Sequence, residues 1–139
     1  MMPSEKKTAA DCQIGKVDAQ LFDMDTALSH ADGDKELLGQ LLEMYLVQSN
    51  QDITDIESAL SRKDAKRLEF VAHSLKGASA TLAAETVREL AYKMEKVGAS
   101  GILSEAPALL IKLKESINIT NELVSKALGK IRSGTEGRS

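Results

Sequence analysis

Residues 64–82 read DAKRLEFVAHSLKGASATL, and the pattern in this stretch decides the fold. Leu68, Val71, Ala72, Leu75, Ser79 and Leu82 recur at spacings of three and four, the apolar stripe of an amphipathic helix. Asp64 supplies an N-cap oxygen just ahead of it. On a wheel of 3.6 residues per turn, His73 falls about 150° from the centre of that stripe, so it faces water. Phe70, Gly77 and Ala80 share its face at i−3, i+4 and i+7. A glycine inside a helix costs about 1 kcal/mol relative to alanine. The stretch therefore gives up local stability to leave bare backbone beside an exposed imidazole.

Outward from this helix the periodicity continues in both directions. Upstream, LFDMDTALSHA reads as a short helix ending at the Asp32-Gly33 turn. Asp34 then caps a long helix reaching Arg62, with Leu37, Leu38, Leu41, Leu42, Tyr45, Ile53, Ile56 and Leu60 at helical spacing. Unbroken, it measures roughly 43 Å, and the polar interruption at Gln48–Gln51 offers a place for a bend. Downstream, Val87, Leu90, Ala91, Met94 and Val97 define a helix that stops at Gly98 and Gly101. Ser104 caps a last helix with Pro107 in its first turn. Its stripe is Leu110, Leu113, Ile117, Val124 and Leu128. No segment alternates with period two. Four substantial helices with short connections predict an all-α, antiparallel up-and-down four-helix bundle with a short extra N-terminal helix. The bundle is assigned to residues 17–128. A polar leader (1–16) and a Gly/Ser/charge-rich tail (129–139) are expected to be flexible.

Composition narrows the function. The net charge of −3 and the 3% aromatic content, with no Trp, argue against nucleic acid or an anionic membrane as partner. No apolar run approaches the ~20 residues that span a bilayer, and the N-terminus has no apolar signal region. The lone cysteine, Cys12, cannot form an intramolecular disulfide and fits a reducing compartment. The chain reads as cytoplasmic. Neither a G-x-G-x-x-G nor a Walker pattern is present, so an ATP site and kinase activity are not expected.

An exposed, unhindered imidazole has few uses. General acid–base catalysis needs a second group to orient the ring, and the sequence offers none at plausible spacing. Glu69, at i−4, makes at most a weak surface contact. Metal binding lacks partners: His30, the other histidine, falls in a distant loop and Cys12 in the leader. No cofactor or metal is expected. Nucleophilic phosphoryl transfer fits better, because neutral imidazole is a competent nucleophile near pH 7. Lys76, at i+3, places an ammonium where it balances phosphoryl charge, and Gly77 keeps the approach open for a donor's active site. A helical adaptor that docks partners without carrying phosphate is the alternative, but such a protein has no use for the nucleophile.

These residues resemble a known family. His73-Ser74-Leu75-Lys76-Gly77 is similar to the H-x-L-K-G signature of histidine-containing phosphotransfer domains, the carriers of two-component phosphorelays. LFDMDTALSHADGDKELLGQLLEMYL resembles the family's opening segment, and VRELAYKMEKVGASG resembles its fourth-helix region. The likeness covers about Leu21 to Leu123. It implies a four-helix bundle in which His73 accepts a phosphoryl group, usually on Nε2, from a receiver-domain aspartyl phosphate. The group then passes reversibly to another receiver. Lys76 becomes the phosphoryl charge partner and Gly77 the clearance residue. Lys66, Glu69, Phe70 and Ala80 make up the partner-binding face. Implied partners are response-regulator receivers and a sensor or hybrid histidine kinase, with Mg²⁺ carried by the receiver and the carrier itself a monomer. One departure is Ala83, where many members have glycine; it concerns the turn that ends the motif helix.

Overall fold

The computed structural model describes residues 21–138, with side-chain detail to Ser133. The leader expected at 1–16 lies outside the described residues. Within them are five helices and no strand: α1 (Met24–His30), α2 (Lys35–Ser61), α3 (Ala65–Thr81), α4 (Glu85–Ser100) and α5 (Ala106–Arg138). α2 and α4 each pack against both α3 and α5, closing a four-helix ring, and α1 rests on α2. The all-α bundle with an extra short helix is therefore the observed fold.

The helices start where aspartates cap them. Asp23, Asp34 and Asp64 accept from the backbone N–H groups of Thr26, of Glu36 and Leu37, and of Arg67. Each such cap is worth about 1 kcal/mol. The ends are equally specific. The N–H groups of Gly33, Asp64 and Ala84 each reach back 2.8 Å to Leu28, Ala59 and Ser79 carbonyls, the Schellman pattern. Glycine usually occupies the left-handed position of that motif, yet here it is held by Asp32 (φ 57), Lys63 (φ 55) and Ala83 (φ 57). Ala83 thus adopts the conformation that glycine takes at little strain.

The core forms two clusters. Leu68, Val71, Leu75, Val87, Met94 and Leu113 anchor one, and Phe22, Leu38, Leu42, Leu82, Val124 and Leu128 the other. A polar level lies along the same inward stripe. Ser49 and Asp52 are 1% and 2% exposed, so the polar run at Gln48–Gln51 marks no interruption: α2 is one helix of 27 residues. Tyr45 and Ser79 hydroxyls meet at 2.9 Å, Asn121 Nδ2 donates to Ser49 Oγ at 3.1 Å, and Gln48 Nε2 donates to Asp52 Oδ1 at 2.8 Å. Burial pushes the Tyr45 hydroxyl up to about 12 and raises the Asp52 carboxyl above its ordinary range.

Three boundaries differ from the sequence reading. α5 begins at Ala106, after a turn that contains Ser104. It also runs past Gly129 to Arg138, into the segment expected to be a flexible tail. Ile131 packs against the second cluster and Arg132 pairs with Glu43, contacts that carry the helix onward. Finally, only Gly101 (φ 77) ends α4, whereas Gly98 is buried inside the helix. A Cβ on Gly98 would lie 2.6 Å from Glu69 N and 2.9 Å from Ala65 O. The glycine is there because the backbones of α3 and α4 nearly touch, and that approach positions the site.

Candidate functional site

α3 presents its apolar stripe inward, with Leu68, Ala72, Leu75 and Ser79 fully buried. The opposite face is consequently solvent-exposed, and the His73 side chain is 66% accessible. On that face Phe70 is also 66% exposed, with the Arg67 guanidinium 5.6 Å from its ring. Lys66 is exposed, and Glu69 and Ala80 are half-buried at its edge. A Cβ on Gly77 would meet nothing within 4 Å. Packing within the chain therefore does not demand this glycine, and one added methyl would not touch the imidazole. The space it leaves opens to solvent on the His73 face.

The close crossing at Gly98 sets α4 beside this surface and brings Glu95 to His73. Nδ1 of the imidazole lies 2.9 Å from Glu95 Oε2, and Lys76 Nζ lies 2.8 Å from Glu95 Oε1. The Glu95 side chain is only 18% exposed. The Lys76 ammonium, with the His73 contact adding to it, holds the Glu95 carboxyl below the usual carboxylate range against the opposing effect of desolvation. An ionised carboxylate only accepts hydrogen bonds, so Nδ1 must be the donor. The neutral ring then carries its proton on Nδ1 and its free lone pair on Nε2. Among the described residues Nε2 has no hydrogen-bond partner.

Sequence reasoning placed His73, Lys76, Phe70 and Gly77 on one surface, and the structure brings them together there. It missed Glu95. The ring does have an orienting group, contributed by α4 and not by Glu69 on its own helix. The signal was weak but present: Glu95 follows Ala91 at i+4, at the edge of the inward stripe of α4, with Tyr92 and Lys96 beside it on the exposed flank. Lys76 is also no freely solvated lysine, for its Nζ sits 5.1 Å from the Tyr92 ring, which Lys96 approaches to 5.0 Å. His30 is not in a loop. It ends α1, with Nδ1 2.9 Å from the Thr81 carbonyl, tying α1 to the end of α3. Beside Ala78 and Thr81 a groove of about 590 Å³ opens between α2 and α3, its wall formed by the exposed Met44 and Val47.

Residues 40–123 match the family described as the Hpt domain. The sequence is 24% identical over 111 residues to phosphorelay intermediate protein rdeA of Dictyostelium discoideum, covering 80% of this chain and 44% of that protein. It is 29% identical over 115 residues to multistep phosphorelay regulator 1 of Schizosaccharomyces pombe, covering 78% and 37% respectively. The chain thus spans less than half the length of these curated relatives. Two solved structures share its fold. Histidine-containing phosphotransfer protein B of Pseudomonas aeruginosa PAO1 has a TM-score of 0.75 at 24% identity, over 79% of this chain and 96% of that one. The HPT domain of a sensor hybrid histidine kinase from Shewanella has a TM-score of 0.72 at 19% identity, over 81% and 97%.

Proposed function

This chain belongs to the Hpt domain family, and from that premise we propose that it is a phosphorelay carrier whose phosphoacceptor is His73. The observation that carries the reading is the imidazole itself: 66% exposed, tethered through Nδ1 by Glu95, with Nε2 making no hydrogen bond among the described residues. In the forward step the Nε2 lone pair attacks the phosphorus of a receiver's aspartyl phosphate. The N–P bond forms as the P–O bond breaks, and the aspartate leaves as a carboxylate. The reverse step returns the group to a second receiver. Lys76 has three N–H donors, so it can hold Glu95 and still reach an added phosphoryl oxygen. The receiver, with its Mg²⁺, supplies the remaining apparatus, and this chain acts without a nucleotide site.

The docking face comprises Lys66, Glu69, Phe70 and Ala80 around His73. The apolar groove with Met44 and Val47 continues the same side of α3 and extends the area a receiver covers. No described helix is long and apolar enough to cross a membrane, and a cytoplasmic carrier fits this. The test is transfer of labelled phosphate from a phosphorylated receiver to wild type and to His73→Gln. Acid-labile, alkali-stable label on wild type alone supports the carrier. Binding of the receiver by both forms, with label on neither, identifies an adaptor and refutes it.

A further inference from the structure

We propose that Glu95 is a positioning residue that keeps the proton on Nδ1 of His73 throughout the phosphorylated state, so that the ring departs as neutral imidazole when the phosphoryl group moves on. This rests on His73 being the phosphoacceptor, as argued above. Once Nε2 bears phosphorus, the fate of the Nδ1 proton decides how good a leaving group the ring is. With the proton retained, cleavage of the P–Nε2 bond returns its electron pair to Nε2 and releases a neutral molecule. With the proton lost, the same cleavage must expel an imidazolate anion, which is far less stable in water. A device that holds that proton keeps the carrier reversible.

The geometry is built for this. Glu95 Oε2 accepts a 2.9 Å hydrogen bond from the Nδ1–H of His73. Its other oxygen is ion-paired with the Lys76 ammonium at 2.8 Å, which opposes rotation of the carboxylate toward water. The backbone beneath is fixed by the Gly98 crossing, which sits one turn along α4 from Glu95. Other charges around the ring come from few sources. On α3 they are Lys76 and Glu69, and on α4 Glu95 and Lys96, the latter held at the Tyr92 ring. From α2, Asp52 and Asp55 are engaged by Gln48 and by Arg67. Among the described residues no hydrogen bond or ion pair from α2 reaches the imidazole. Among the described residues, Glu95 is thus the one anion in contact with Nδ1.

The experiment phosphorylates wild type, Glu95→Gln and Glu95→Ala with phosphoramidate, a small donor that needs no receiver. It then follows the ³¹P resonance of the phosphohistidine against pH. An adjacent opposite charge moves a titration by about one to three units. Wild type should therefore lose the Nδ1 proton at least about one pH unit higher than Glu95→Ala. Glu95→Gln, whose amide oxygen still accepts but carries no charge, should fall between them. Above both midpoints, transfer to a receiver should slow about tenfold for each unit of midpoint lost. Coincident titrations in all three proteins overturn the inference while leaving the phosphoacceptor in place. A wild type that acquires no phosphohistidine overturns the carrier reading, and the role of Glu95 falls with it.

Discussion

Alanine substituted at Gly98 and at Gly77 adds the same methyl group to two helix interiors, and stability should move in opposite directions. Helix propensity favours alanine over glycine by about 1 kcal/mol at either position. At Gly77 the new Cβ meets nothing within 4 Å, so Gly77→Ala should be stabilised by roughly 0.5–1 kcal/mol. At Gly98 it would stand 2.6 Å from Glu69 N and 2.9 Å from both Ala65 O and Glu69 Cα. All three are backbone atoms, so no rotamer relieves the contact. α4 must retreat from α3 by about 0.5–1 Å, which forfeits a quarter to a half of the dispersion attraction along the seam. Overpacking of this kind costs about 1–3 kcal/mol. Set against the propensity gain, Gly98→Ala should lose up to about 2 kcal/mol. Urea denaturation followed by circular dichroism reads both as midpoint shifts at unchanged slope. The same retreat should loosen Glu95 from His73, visible as a change in the imidazole nitrogen signals of Gly98→Ala but not of Gly77→Ala. Equal stabilisation of the two variants would refute the close crossing.

Ala83→Gly should gain about 0.5–1 kcal/mol by removing a left-handed alanine, read as a higher thermal midpoint; an unchanged or lower one contradicts the strain assigned there. Lys76→Ala should slow phosphoryl transfer with the circular dichroism spectrum intact, and an unchanged rate removes its charge-balancing role. Asp52 has a folded-state titration raised above the unfolded one, so its ionised form weakens the fold as pH rises through that interval. Asp52→Asn should therefore be at least as stable as wild type at pH 7, with the gain vanishing below about pH 4 in paired denaturation curves. Tyr45→Phe strands the buried Ser79 hydroxyl and should cost about 1 kcal/mol by the same denaturation assay.

Much of this was legible in the sequence because helical periodicity is a local signal. Asp34 and Asp64 stand at the helix starts they announced, and the inward stripe of α3 fixed the outward direction of His73 without knowledge of any neighbour. What escaped depends on pairs of helices. Glu95 lies 22 residues from His73, and only the crossing of α3 and α4 makes them partners. Gly98 read as a stop because glycine ends helices more often than it seats one backbone on another. Ser49 read as part of an interruption at Gln48–Gln51 because polar residues rarely continue a core stripe, and its partner Asn121 was not identifiable as such. The extension of α5 was hidden by the glycines of its last turns, which local propensity counts as breakers.

The closeness of α3 and α4 at Gly98 also limits how far an error can spread. Glu95 stands three residues from the crossing on one helix, and His73 stands four from Glu69 on the other. Each group is therefore carried on a lever arm of only about 5–6 Å. A 5° change in the angle between the helices displaces such a group by about 0.5 Å. Mismatch at the far end of the bundle is damped before it arrives here. Loops, caps and the outer turns of α5 can thus diverge freely in sequence while imidazole and carboxylate keep their alignment.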